Sequence, residues 1–376
     1  MKILRTIETF LPYICGPTNQ AFQISNRLEE RGIHSPVFTT YSDVDSGLAH
    51  HEKYERVSVF RFPHQFRIMR YCVSMGMLPY FKNFDILHSH NYRNFQTDSG
   101  FFFALLKNKP FILNTHGSLL GFKNYLPSFF QRIPYHTYDW ITLKTSAKRA
   151  QAIIVSSKFE YEDALEFGIP KDKIHVIPMG AKVDNTIKER TANDTLQLLF
   201  VGRIARVRRL ELLLQAVEKL TFPFHLTIAG GEEKTSSVTR SGYIKELKEL
   251  TQRINLISKV TFTGKKSQEE LKTFYEMADL FVYPSEFENF GQPLIEAGAH
   301  GLPIIATPVG VARDIVIEGE TGYLTSDDPE AMSDRIHLLQ DNNLRKQMGI
   351  QIKNLIKEKF DWENIMGQYI SLYNSL

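Results

Sequence analysis

The chain has 376 residues, 43% hydrophobic and 23% charged, with a formal net charge of +3; that length fits two ordinary domains, and the composition excludes a disordered polymer. No stretch approaches the ~18 consecutive apolar residues of a membrane span. The two cysteines, Cys15 and Cys72, show neither a disulfide framework nor a metal spacing, so a soluble protein of a reducing, cytoplasmic compartment is expected, at most peripheral on the inner face of a membrane.

MKILRTI opens as a strand rather than a signal peptide, because Glu8 interrupts the apolar run. Within residues 18–32, Ala21, Phe22, Ile24 and Leu28 share a helical face closed by Gly32, and SPVFTT begins the next strand. DILHSH (85–90), PFILNTH (110–116) and AIIVSS (152–157) are short apolar strands ending in polar residues, and HVIPMG (175–180) runs from strand into turn. Strands separated by helices predict a parallel, doubly wound α/β sheet whose ligands bind beyond the strands' carboxyl ends. His88, His90, His116, Ser156 and Ser157 fall at such ends.

VDNTIKERTANDT (183–195) lacks periodicity and is the expected linker. After it LQLLFVGR, FHLTIAGG, KVTFTG, DLFVYPS, LPIIAT and GYLTS read as strands, and RLELLLQAVEKL as a helix. The terminal FDWENIMGQYISLYNSL is helical, with Asp361 as N-cap. Two such units predict a ligand cleft between them. Residues 1–190 hold 24 Lys+Arg against 17 Asp+Glu, and the remainder 21 against 25. Either the halves face different partners or the charge is scattered surface.

Two stretches carry chemistry. In VGRIARVRRLELLLQA (201–216), Arg203 and Arg208 flank a loop between a strand end and a helix N-terminus, a fit for a diphosphate or simply a solvated basic loop. In SEFENFGQPLIEA (285–297), Pro293 is placed at the first helical position, with the N–H groups of Phe290, Gly291 and Gln292 pointing beyond the helix. Gly291 permits close approach of a ligand. Glu288 precedes the turn and Glu296 is placed in the first helical turn. Both suit the vicinal hydroxyls of a ribose or hexose, or they are an exposed loop acid and a dipole-compensating one. The His residues show no HExxH pair, and HSH (88–90) reads as polar lining rather than a metal pair.

PSEFENFGQPLIEAGAHGLPIIAT resembles the signature of family 4 (group 1) retaining glycosyltransferases of the GT-B fold, a Glu, seven residues and a Glu. MKILRTIETFLPYICGPTNQ, RLEERGIHSPVFTT, DILHSH, ILNTHG, SSKFEYEDALEFGIPKDKIHVIPMGAKVD, VGRIARVRR, IAGGEE, VTFTG, VGVARDIVIEGETGYL and FDWENIMGQYISLY are similar to further family segments in the same order. The resemblance implies two Rossmann-like doubly wound domains facing a central cleft. They would be an acceptor-binding domain at 1–186, a nucleotide-sugar donor domain at 195–358, and a C-terminal helix at 360–376 packing back on the first.

It further implies a hexosyltransferase moving sugar from a nucleotide-diphosphate-sugar donor to a glycan, lipid-linked or small-molecule hydroxyl acceptor, with no cofactor and no metal. Arg203 and Arg208 would hold the diphosphate, and Glu296 the ribose hydroxyls. Glu288 would bind the transferred sugar, aided by the amides of Phe290, Gly291 and Gln292. Gly16 would let its loop close on the phosphates, and His116 would reach the sugar from across the cleft. Preorganised cations and amides stabilise the charge that develops on the phosphates, work a divalent ion does elsewhere. A double displacement would need Glu288 as nucleophile; the resemblance favours a front-face route. The chain departs from the family at Cys15-Gly16-Pro17, where paired glycines are common, at Arg209, where glycine usually follows the basic residue, and at Met179 and Ala181-Lys182.

Residues 119–149 mix Phe122, Tyr125, Phe129, Phe130, Tyr135, His136, Tyr138 and Trp140 with Lys123, Arg132, Lys144, Lys148 and Arg149. The stretch either rests on an anionic bilayer and receives a lipid-linked acceptor, or is a core-packing helix with an acceptor loop. No nucleic-acid platform is recognised. Two rival readings are a nucleotide-sugar epimerase-like GT-B enzyme and a non-catalytic nucleotide-sugar or glycan-binding protein.

Overall fold

Short β-branched and leucine-rich runs between amphipathic helices fold as two α/β units. The computed structural model describes residues 1–126, 128–184, 194–232 and 242–376, without the side chains of Asn124 and Tyr125. Most of the expected linker 183–195 therefore lies outside the described residues, as does the side chain of Tyr125.

The first unit comprises Met1–Met179 and Ile365–Leu376. Its strands are β1 (Ile3–Thr6), β2 (Val37–Thr40), β3 (His51–Tyr54), β4 (Val57–Phe62), the hairpin β5 (Phe66–Ile68) and β6 (Tyr71–Val73), then β7 (Ile86–His90), β8 (Phe111–Asn114), β9 (Ala152–Val155) and β10 (Ile174–Val176). All but the hairpin join one sheet in the order β10-β9-β8-β7-β1-β2-β4-β3, parallel except for β3. Its helices are α1 (Gly16–Glu30), α2 (Phe95–Leu106), α3 (Phe122–Tyr125), α4 (Phe129–Thr142), α5 (Thr145–Lys148) and α6 (Lys158–Phe167). Alternate strand residues enter opposite cores. Val37 packs with Ile7, Ala21 and Val59, whereas Phe38 packs with Leu4, Leu87 and Phe111. Both faces are thus buried, as a parallel sheet requires. β3–β6 had no counterpart in the sequence reading. β3, HEKY, alternates exposed and half-buried residues, an edge strand with no apolar run to announce it.

The second unit comprises Gly180–Asn364. β11 (Leu196–Val201), β12 (Phe224–Ala229), β13 (Val260–Gly264), β14 (Leu280–Tyr283), β15 (Ile304–Ala306) and β16 (Gly322–Leu324) form a parallel sheet in the order β13-β12-β11-β14-β15-β16. Its helices are α7 (Leu210–Glu218), α8 (Tyr243–Arg253), α9 (Gln268–Met277), α10 (Gln292–Ala299), α11 (Ala312–Ile315), α12 (Pro329–Leu338) and α13 (Asn342–Phe360). The strand order reverses between β11 and β14, and in the first sheet between β1 and β7. Such switch points are where open α/β sheets bind ligands.

α14 (Trp362–Ser375) begins after Asp361, whose Oδ1 accepts the Glu363 N–H at 2.9 Å, the cap expected there. Tyr369 and Tyr373 of α14 are buried in the first unit: Gln20 and Asn114 donate to the Tyr369 hydroxyl, and Arg5 to that of Tyr373. The division falls at Met179/Gly180 and Asn364/Ile365 rather than at the expected 186 and 360. The physical reason is that Ala181 N–H donates to Phe360 O at 2.8 Å, and Ala181 bridges Asp361, so both connecting segments pair inside the second unit.

Candidate active site

β11 and β14 lie side by side and parallel, so the loops after Val201 and Tyr283 emerge together at the switch point. The backbones are close here. A Cβ on Gly230 would overlap the carbonyl oxygen of Gly202, and Ile204 N–H donates to Gly231 O at 3.0 Å.

Arg208 ends a 3-10 turn, Arg206–Arg208, in the loop after β11 and is buried. Its Nη1 donates to Ser285 Oγ at 2.8 Å and to Phe287 O at 3.0 Å, and its Nη2 meets Glu288 Oε1 at 2.6 Å. The hydroxyl of Tyr283 donates to the same Glu288 oxygen at 2.6 Å, and the guanidinium lies over its ring. Burial opposes charge on Arg208, and Glu288 and Tyr283 outweigh it, so the guanidinium stays cationic. Burial likewise pushes the Tyr283 hydroxyl well above its ordinary pKa, fixing it as a donor. The Nε of Arg208 has no acceptor among the described residues. Arg203 is exposed on the same loop, and its charge reaches the Tyr283 hydroxyl. The sequence reading placed Arg208 on a diphosphate and Glu288 on a sugar; the structure joins the two to each other.

The helix after the basic loop differs from expectation. Leu210 N–H is taken by the Tyr243 hydroxyl at 3.1 Å, and Glu211 occupies the first turn, so that end of α7 is committed within the protein. Arg209 caps α7 at φ +49°, the left-handed region that explains why glycine would be the easier residue there, and pairs with Asp327.

α10 begins at Gln292, which moves Pro293 to the second helical position and Glu296 to the fifth, beyond the first turn. The dipole therefore does less for Glu296 than expected. Tyr275 does more, donating to Glu296 Oε2 at 2.9 Å. Burial raises the Glu296 pKa to about 6, against the hydrogen bonds from Tyr275 and Gln292. Gly291 adopts φ +93° as the N-cap. Among the described residues no hydrogen bond takes the N–H groups of Phe290, Gly291 or Gln292. Beneath the turn, Val311 N–H donates to Phe290 O at 2.7 Å, and a Cβ on Gly310 would overlap that carbonyl. The Gln292 amide also reaches Gly180 O at 3.3 Å.

Gly16 and His116 belong to the first unit. Gly16 is the first residue of α1, and a Cβ there would meet no protein atom within 4 Å, so the fold itself does not demand glycine. His116 follows β8 at φ +47° and contacts His90 at 2.8 Å. His88 and His90 turn nitrogens toward Arg5. Among the described residues, no group of His, Cys, Asp or Glu is arranged to hold a metal ion.

Sequence reasoning missed Tyr283, Tyr275 and Ser285. Tyr283 and Ser285 lie at the carboxyl end of β14, the one signal that could have found them. Tyr275, on α9, carried none.

Residues 183–355 match the family model described as glycosyl transferases group 1, and residues 14–185 the one described as glycosyltransferase family 4. An uncharacterised glycosyltransferase of Methanocaldococcus jannaschii is 27% identical, the match spanning 100% of this chain and 99% of the relative. Sucrose-phosphate synthase from Thermosynechococcus elongatus superposes with a TM-score of 0.78 at 21% identity, covering 100% of this chain and 99% of that one. Anabaena HepE, in complex with UDP-glucose, gives 0.77 at 18% identity, covering 100% of each chain.

Proposed function

Because this chain belongs to the family 4 (group 1) glycosyltransferases and shares their GT-B fold, we propose that it moves a hexose-type sugar, with retention, from a nucleotide-diphosphate-sugar to a glycan, lipid-linked or small-molecule hydroxyl, without a metal. The observation that carries this reading is the Arg208–Glu288–Tyr283 contact at the switch point, beside the amides of residues 290–292.

In a glycosyl transfer the departing diphosphate gains negative charge while the sugar ring becomes positive. Arg203, exposed, meets the phosphates, and the buried cation of Arg208 adds its charge from the same loop, supplying the charge stabilisation that would otherwise fall to a divalent ion. Glu296 accepts from the vicinal ribose hydroxyls, and the second oxygen of Glu288 accepts from a sugar hydroxyl. With Oε1 committed to Arg208 and Tyr283, Glu288 is a poor nucleophile, which favours the front-face route in which the leaving phosphate takes the acceptor's proton. UDP-glucose, the ligand of the Anabaena neighbour, is the first donor to try.

A lipid-linked acceptor is favoured by α4. Asp139 is clamped by Arg93 at 2.9 and 2.7 Å, and the Tyr138 hydroxyl by Asp98 at 2.7 and 2.6 Å. Phe122 is buried against Tyr135. With that face held, Phe129, Phe130, Trp140, Ile141 and Leu143 are left exposed, and Lys148 and Arg149 a few residues on are exposed as well, a composition suited to an anionic bilayer.

Thermal-shift screening against UDP-, GDP- and ADP-sugars, then acceptor assays with NMR of the product anomer, tests the proposal. Donor-dependent stabilisation and a retained anomer that persists in EDTA are expected. Binding without transfer would leave a nucleotide-sugar-binding protein, donor epimerisation would point to an epimerase, and an inverted product or a metal requirement would overturn the mechanism.

A further inference from the structure

Tyr283 is the last residue of β14 in the second unit, and its hydroxyl ends on the carboxylate of Glu288, five positions further on. The side chain is buried, its ring nearly parallel to those of Phe200 at 5.6 Å and Phe281 at 5.9 Å. Space around the stack is short: a Cβ on Gly202 would lie 3.1 Å from the Phe200 ring and 3.9 Å from that of Tyr283. The Tyr283 carbonyl accepts from Thr307 N–H at 3.2 Å, which ties its backbone to the end of β15. Strand and stack together fix where the hydroxyl lies.

Glu288 is confined along its stem and held unevenly at its head. A Cβ on Gly310 would lie 3.2 Å from Glu288 Cβ, and one on Gly291 would lie 3.8 Å from its Cγ. At the carboxylate, Oε1 takes both contacts, from Arg208 Nη2 at 2.6 Å and from the Tyr283 hydroxyl at 2.6 Å. Oε2 has no partner among the described residues and keeps contact with solvent.

An arginine and a carboxylate left to themselves commonly pair through two parallel hydrogen bonds. Here that fork would use Nε and Nη2 of Arg208, because Ser285 Oγ and Phe287 O take Nη1. Yet Nε is buried without an acceptor among the described residues. The guanidinium thus forgoes a charge-assisted bond while Glu288 keeps one oxygen outward. What sets the two oxygens apart is the Tyr283 hydroxyl, whose single proton goes to Oε1. Bringing Oε2 round to Nε requires the carboxylate to turn, and the stacked phenol ring cannot follow it. We propose that Tyr283 is a positioning residue that keeps Glu288 out of two-point pairing with Arg208, so that Oε2 stays available to one hydroxyl of the donor sugar.

The use of the free oxygen rests on the proposed function, in which Glu288 meets the transferred sugar. One fixed carboxylate oxygen reads one hydroxyl, as a hydrogen-bond donor. A carboxylate closed on Arg208 reads none.

Crystal structures of the parent and of Tyr283→Phe, which loses only the hydroxyl, read the positioning without turnover. In the variant the Glu288 carboxylate should turn, with its two oxygens on Nε and Nη2 of Arg208. A two-point pair in the parent overturns the proposal with no variant needed, as does an unturned carboxylate in the variant. Calorimetric titration reads the use, with UDP-glucose and its 2-, 3-, 4- and 6-deoxy forms, or the GDP or ADP series where the thermal-shift screen selects those bases. In the parent, loss of one particular hydroxyl should weaken donor binding about ten- to a hundredfold. In Tyr283→Phe that penalty should vanish, while affinity for the free nucleoside diphosphate stays the same. A merely structural role would weaken every donor alike and leave the penalty in place, which rejects the reading of a hydroxyl. A parent that binds no nucleotide-sugar refutes the proposed function, whereas the turned carboxylate in Tyr283→Phe would still establish Tyr283 as the residue that positions Glu288.

Discussion

Glu288 Oε1 lies 2.6 Å from Arg208 Nη2, so an acid and a base separated by 80 positions form one ion pair at the mouth of the second sheet. The pair is mostly buried, with side-chain exposures of 8% for Arg208 and 17% for Glu288. Removing the acid therefore does more than empty the proposed sugar contact. It strands a buried guanidinium. Glu288→Gln should cost about 3 kcal/mol of stability in the second unit and lower transfer about a hundredfold. Tyr283→Phe, which keeps the ion pair, should cost only about 1–2 kcal/mol. Differential scanning calorimetry with donor turnover checks both; equal melting of parent and Glu288→Gln would remove the ion pair from the account.

With Glu296 on the ribose hydroxyls, as proposed, donor binding should depend on pH. Its carboxyl has a pKa of about 6, raised by burial, and accepting two ribose hydroxyls requires the ionised form. Donor affinity should fall about tenfold from pH 7 to pH 5, and calorimetric titration of Glu296→Gln should show a flat profile over that range. Stability runs the other way. A folded pKa above the unfolded value favours the protonated acid, so this contribution is present near pH 4 and lost as pH rises through about 6. At pH 7.5 Glu296→Gln should melt above the parent by about 1–2 kcal/mol in equivalent stability, with no difference near pH 4.

Gly180 has no room for a side chain. A Cβ there would overlap the indole of Trp362, and the Gly180 carbonyl also accepts from Gln292. Gly180→Ala should destabilise by about 1–3 kcal/mol and weaken donor binding through Gln292. The double variant Gly180→Ala/Trp362→Leu should recover part of the melting temperature; no recovery would place the strain elsewhere.

Phe130 and Trp140 are 78% and 76% exposed, so replacing both with Ser should leave the melting temperature unchanged. If α4 docks on a bilayer, the same double variant should lose flotation with vesicles containing anionic lipid, by roughly a hundredfold in partitioning. Failure of the parent to float at either low or high salt would end the membrane reading.

The sequence by itself determined the alternation of apolar strands and amphipathic helices, because periodicity is local and each turn of chain carries its own pattern. It also held the acid spacing in SEFENFGQPLIEA and the order of family segments along the chain. Local pattern stops there. Arg5 reads as one charge in a strand, and only packing against β7 and α14 shows that it is buried on His88, His90 and Tyr373. Glu296 reads as a first-turn acid until the helix is seen to begin at Gln292. The aromatic residues of 119–149 read alike, yet tertiary contacts bury Phe122 and leave Phe130 and Trp140 exposed. The physical reason is the same throughout. Burial and side-chain pairing join residues tens to hundreds of positions apart, so the partner that sets a charge or an exposed face is chosen by the folded sheet and not by its neighbours in the chain.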